Sequence, residues 1–185
     1  MFSNDRMKTD ISNFWSSSDM WYIVTAVLIV DVIGIFLFRY YPTFFGSALN
    51  KWYTDYGLIA SISDITIILI GILIARLIYT YFLRDSYGWS APLFIGLLLI
   101  VQLIHDILFY LFVILPIPQG RNAIIDLFKT YAKELSWTVY VGDAIMVVSS
   151  AAIAMALKNY GDSITSSSAI AALYALTYIL FTKPV

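Results

Sequence analysis

About five stretches of roughly twenty apolar residues, parted by short polar breaks, constrain this chain more than any other feature. A helix of that length rises about 30 Å, the thickness of a bilayer's hydrocarbon core. The stretches run over 20–41, 56–83, 89–115, 136–157 and 163–182. The first is flanked by Trp21 and Tyr22 at one end and by Arg39, Tyr40, Tyr41 and Pro42 at the other, belts suited to the headgroup region. The third stops at Pro116 and Pro118, where a helix cannot readily continue. Of 185 residues 12% are charged, half the roughly 25% that covers a soluble domain. The expected fold is all-α: a polytopic membrane protein whose bundle of about five transmembrane helices fills 20–182 behind a polar, amphipathic segment over 1–19.

Two shorter segments carry apolar residues at helical spacing. Met7, Ile11, Phe14 and Trp15 form one set, and Ile124, Ile125, Phe128, Ala132 and Leu135, within 121–135, form the other. Each is expected to lie in the membrane interface, with charges such as Lys129 and Lys133 facing water. The N-terminus carries Asp5, Asp10 and Asp19 ahead of the first span, the wrong order for a cleaved signal, so that span is expected to stay in the mature protein.

An odd number of spans puts the termini on opposite sides. Arg6, Lys8, Arg84 and Lys158 fall on the N-terminal side, against Arg39, Lys51, Arg121, Lys129, Lys133 and Lys183 on the second. The excess on the second side predicts the N-terminus outside and the C-terminus cytoplasmic.

Several chemistries are excluded. With no cysteine there is no disulfide, thiolate metal site or thiol redox chemistry. The net charge of −1 leaves no polybasic surface for nucleic acid. No lysine falls inside a span, so a retinal Schiff base has no attachment point, and a single histidine cannot make a bis-histidine haem site. Gly142 and Asp143 keep only the last two residues of the Gly-x-Gly-Asp pattern of intramembrane aspartyl proteases, and no nucleophile elbow or P-loop occurs. No cofactor is expected, and the chain reads as a binding or transport protein rather than an enzyme.

The informative residues are polar ones inside the spans. Asp31 lies mid-span, while Asp64, Asp106 and Asp143 lie about seven to ten residues, or about 10 to 15 Å, from the second side. Each costs about 2.5 to 3.5 kcal/mol on insertion scales, so such acids face a bundle interior or a wet cavity. Gln102, His105 and Asp106 share one face of the third span by their three- and four-residue spacing, and small residues accompany Asp64 (Ser61, Gly71, Ala75) and Asp143 (Ser150, Ala154). The expectation is one site in the second-side half, its acids paired with one another or with water. His105 projects about 100° from Asp106 around the helix, so the two need not touch. Arg76, in the opposite half, is a candidate counter-charge or a snorkelling cation.

Carboxylates held close in low dielectric cannot all stay ionised, so a proton or a cation is expected among them. The leading expectation is a protein that binds or conducts protons or small cations through Asp31, Asp64, Asp106 and Asp143, with Gln102 and His105 as relay or orienting groups. Any metal would be held by carboxylate oxygens. A channel or transporter of this size would assemble as a homo-oligomer. The alternative is a membrane enzyme or binding protein in which the same acids meet a lipid- or sterol-like ligand, and the third is a structural protein whose acids are interhelical hydrogen-bond glue. Acids on the first two spans, with Lys51, Trp52 and Tyr53 after a proline-containing loop, resemble the sterol-isomerase and sigma-2 group of four-span membrane proteins. The chain departs from that group in its fifth span and its lack of intramembrane glutamates.

Overall fold

Hydrocarbon offers no hydrogen bonds, so a spanning segment must satisfy its own backbone, and an apolar stretch of this length does so as a helix. The computed structural model describes residues 8–41, 47–135 and 138–182. Among them are seven helices and no strand: α1 (Asp19–Tyr40), α2 (Ser47–Tyr56), α3 (Leu58–Tyr87), α4 (Ala91–Ile114), α5 (Ala123–Leu135), α6 (Thr138–Tyr160) and α7 (Asp162–Phe181). Helices α1, α3, α4, α6 and α7 are long and apolar enough to cross a membrane. The expected spans agree to within a few residues, except that Tyr56 belongs to α2. Gly57, at φ +50°, breaks the chain between α2 and α3, a backbone conformation that a side chain would strain. The expected start of the fourth span, at 136 and 137, lies outside the described residues.

Helix α1 sits at the centre, against α6, α7, α3 and α2, while α4 closes the ring between α3 and α6. Between apolar helices in lipid the attraction is close packing, which small residues favour. Ala26, Ala75, Ala151 and Ala154, all fully buried, allow that approach, and Ile23, Val27, Ile72, Phe94, Leu98 and Val147 fill the N-terminal-side half. Two buried hydroxyls in this bundle, on Thr25 and Ser150, lack a hydrogen-bond partner among the described residues.

The N-terminal segment corrects the expectation of an interfacial helix. Residues 10–18 form no helix, and Met7 lies outside the described residues. Ile11 is fully buried in the main core instead of facing lipid headgroups. The segment is a strap across the bundle end. Thr80 Oγ1 accepts from the Phe14 amide (2.9 Å) and donates to the Ser12 carbonyl (2.9 Å), and Arg84 pairs with Asp10 at 2.7 Å. Helical spacing had no way to register these distant partners.

At the second face α2 packs on α5, whose Ile125 is buried and whose Ile124 and Phe128 are half-buried at the expected apolar spacing, with Leu127, outside that set, buried as well. Asn122 caps α5, accepting from the Ile124 amide at 3.0 Å. Lys129 does not simply face water, since its ammonium donates to the Ile117 carbonyl. Arg39, buried, donates to the Leu180 and Thr182 carbonyls and so caps the C-terminal end of α7, where a cation suits the helix dipole. Glu134 links α5 to α2, accepting from Ser47 Oγ (2.7 Å) and the Ala48 amide (3.0 Å). Those bonds hold its pKa below the usual glutamate value of 4.5. A depressed folded pKa gives stability that is full above the unfolded value and is lost as pH falls through the folded one. Thermal midpoints should therefore favour the native chain over Glu134→Gln at neutral pH, by a small margin because the group is exposed. The two should converge as pH falls below about 4.5; a difference constant with pH would contradict the link.

Candidate acidic site in the second-side half of the bundle

Counting along the helices, Asp64, Asp143, Asp106 and Asp31 stand about 8 to 14 Å from their second-side ends. Asp143 on α6 is within electrostatic range of Asp106 on α4 and Asp64 on α3, and Asp31 on α1 is within range of Asp64. Each of the four acids singled out in the sequence, drawn from four helices, thus lies within electrostatic range of at least one other. Helix α7 brings no acid to the group. Its Asp162 lies at the opposite end, accepting from Tyr22 Oη at 2.7 Å.

The partners differ from those expected. Asp64 is held by the covering helix: Trp52 Nε1 donates to Oδ2 at 3.0 Å and Tyr53 Oη donates to the same oxygen at 2.7 Å. Asp31, fully buried, accepts from Ser61 Oγ through Oδ2, while its Oδ1 has no partner among the described residues. On α4, Gln102 Nε2 donates to Asp106 Oδ1 at 2.7 Å, and His105 Nδ1 lies 3.0 Å from the same oxygen. His105 and Asp106 do touch, because side-chain torsions bridge the rotation that separates adjacent residues. The His105 ring stacks on Phe109 at 5.8 Å. Asp143 accepts no hydrogen bond among the described residues. Gly71 faces Gln102: a Cβ there would sit 3.6 Å from Oε1.

Two phenols face the acids from the covering helices. Tyr131 on α5 is pushed well above the usual tyrosine range, first by burial and then by Asp143, Asp64 and Asp106. Tyr53 on α2 is pushed up by burial, then by Asp64 and Asp31. Both stay neutral, and Tyr53 donates its hydroxyl to Asp64. Trp52, Tyr53 and Tyr131 are site residues that sequence reasoning did not identify. Their signal was an aromatic face at helical spacing, and α2, ten residues long, is too short to stand out from a loop.

Arg76 is not the counter-charge of this group. It is fully buried in the opposite half, where its guanidinium donates to the Asn13 and Ser16 carbonyls (2.8 Å for Ser16) and lies 3.9 Å from Asp19. Lys158 lies 2.5 Å from the other oxygen of Asp19. Among the described residues His105 is the only basic side chain within 4.0 Å of any of the four acids. No three acids or imidazoles among them converge closely enough to hold one metal ion.

The site opens sideways. A cavity of about 200 Å³ between α4 and α6 is lined by Leu99, Gln102, Leu103, Asp106, Tyr140 and Ala144. Through Leu99, Tyr140 and Ala144 it continues into an apolar groove of about 690 Å³ along Val141, Ile145 and Val148.

Fold and site define a multi-pass helical membrane protein with its carboxylates gathered in one half of the bundle. Comparison with models of known families, with curated proteins and with solved structures finds no match to this chain. Its five spans part it from the four-span group that its sequence resembles.

Proposed function

We propose that this protein binds protons at the four-acid group, taking them from the second face of the membrane. The supporting observation is that buried Asp143 lies within electrostatic range of both Asp106 and Asp64, and Asp31 within range of Asp64, with His105 as the sole basic neighbour among the described residues. Like charges that close in a poorly solvated place cannot all persist, so protons or a cation must neutralise some of them. That no three acids or imidazoles converge among the described residues favours protons over a chelated ion. Gln102 and His105 orient Asp106, and Tyr53 and Tyr131 supply neutral hydroxyls through which protons are exchanged with the covering helices. On the charge bias of the loops this face is the cytoplasmic one.

Binding is favoured over conduction by what lies on the other side. Beyond the acids come the packed apolar core and then the strap, with Thr25 and Ser150 the buried hydroxyls in between. Infrared spectra in lipid nanodiscs should show a carboxylic-acid band at pH 7 that disappears on alkalinisation and weakens in Asp143→Asn. Absence of that band at pH 7 would refute the reading. A proton flux in proteoliposomes that Asp106→Asn abolishes at unchanged protein level would replace binding with conduction.

A further inference from the structure

We propose that the gap between α4 and α6 admits a single-chain cationic amphiphile from the surrounding leaflet, its ammonium group against Asp106 and its chain along Leu99, Ile145 and Val148. The inference rests on the reading of the acids as proton holders: an arriving ammonium takes the place of a bound proton. Three features carry it. The cavity reaches Asp106 from the lipid side, and while Asp106 Oδ1 already receives Gln102 and His105, Oδ2 accepts no hydrogen bond among the described residues. The inner space, about 200 Å³, suits a primary ammonium and a few methylenes, not a phosphodiester headgroup. The outer groove is apolar and continuous with it, running along α6 toward the bilayer centre, as an acyl chain would.

Charge decides the class of ligand. The groups in range of Asp106 are Asp143 on α6, His105 and Gln102 on its own helix and the phenol of Tyr131 on α5, while Asp64 on α3 lies in range of Asp143, with Asp31 on α1 and Tyr53 on α2 beside Asp64. Acids outnumber the one imidazole, so an anionic or zwitterionic head meets repulsion and an ammonium meets attraction. A charge-assisted bond from an ammonium to a carboxylate in this setting outranks a neutral hydroxyl donor.

The test uses the full chain in nanodiscs of zwitterionic lipid and two probes matched in length: a long-chain primary amine and the corresponding alcohol, each carrying a diazirine in its chain. The amine should label 99–103 and 140–148. Labelling should fall about tenfold in Asp106→Asn, and likewise in Ala144→Trp, which fills the cavity and keeps the acids. The alcohol should label weakly and be indifferent to Asp106→Asn. Equal labelling by the two probes, or amine labelling unchanged in both variants, would overturn the proposal. Melting curves of both variants report on folding. The carboxylic-acid band of the unliganded protein, read in the same samples, tests the proton reading separately: the band can persist while the amine fails to label.

Discussion

Asp19→Asn is expected to destabilise the protein by about 3 to 5 kcal/mol, the cost of removing one partner from a buried ion pair. Asp19 is 1% exposed and answers two cations, Lys158 at 2.5 Å and Arg76 at 3.9 Å. Its second oxygen faces Arg76 without a hydrogen bond, so the interaction there is one of charge, which asparagine cannot replace. Arg76 retains its carbonyl partners and the Met20 sulfur at 2.8 Å, which moves the expected loss toward the lower figure. Thermal unfolding in detergent micelles measures it. Lys158 keeps the Asp10 carbonyl as a partner, so Asp19→Asn combined with Lys158→Met should recover only a small part of the loss. Asp55→Asn serves as the reference: its pair with Lys51 is exposed, 63% and 41%, and screened by water. Equal losses in Asp19→Asn and Asp55→Asn would show that the strap end of the bundle is held by something other than these charges.

Trp52→Ala should cost about 3 to 5 kcal/mol and detach the cover of the acidic site. The indole is 3% exposed, packs against Tyr56 at 5.1 Å and Phe128 at 5.0 Å, and donates to Asp64. Its removal takes away the ring contact with Phe128 on α5 and one donor from the carboxylate. Amide hydrogen exchange over 47–56 should then accelerate far more than over α1. Trp52→Phe retains most of the packing and loses only the N–H, so it should show about 1 to 3 kcal/mol with α2 still docked. If Trp52→Ala exchanges like the native chain over 47–56, α2 is held by Tyr53 and Glu134 and the indole is not its anchor.

The spans were legible because apolar length and aromatic flanks are local properties, and so were the depths of the acids, which a one-residue error in a helix end hardly changes. Rotation was not legible. Whether Asp64 meets Asp143 or Trp52 depends on the neighbour its face is turned toward, and that neighbour is a helix absent from the sequence reading. The strap failed for a related reason. Ile11 and Phe14 at helical spacing look amphipathic, but their environment is set by Thr80, Arg84 and Arg76, more than sixty residues away. Arg76 lies in the half the sequence indicates and has an acid, Asp19, at 3.9 Å, while the Asn13 and Ser16 carbonyls that complete its contacts leave no mark in a sequence.

The capping of α7 by Arg39 bears on how the chain is made. Asp31 finds its hydroxyl donor Ser61 thirty residues on, so that need is met when the second span follows the first. Arg39 accepts no such early settlement: its carbonyl partners, Leu180 and Thr182, lie 141 and 143 residues downstream. During synthesis the first span must therefore wait with its guanidinium at the membrane edge, dissolved among headgroups or water, until residues 180 and 182 have emerged. Gly161 then folds the last two spans back in a single-residue turn and delivers α7 alongside α1. Closure of this bundle is thus a late event in biogenesis, and a ribosome that stalls before residue 180 leaves behind a protein whose central helix is inserted but unlatched.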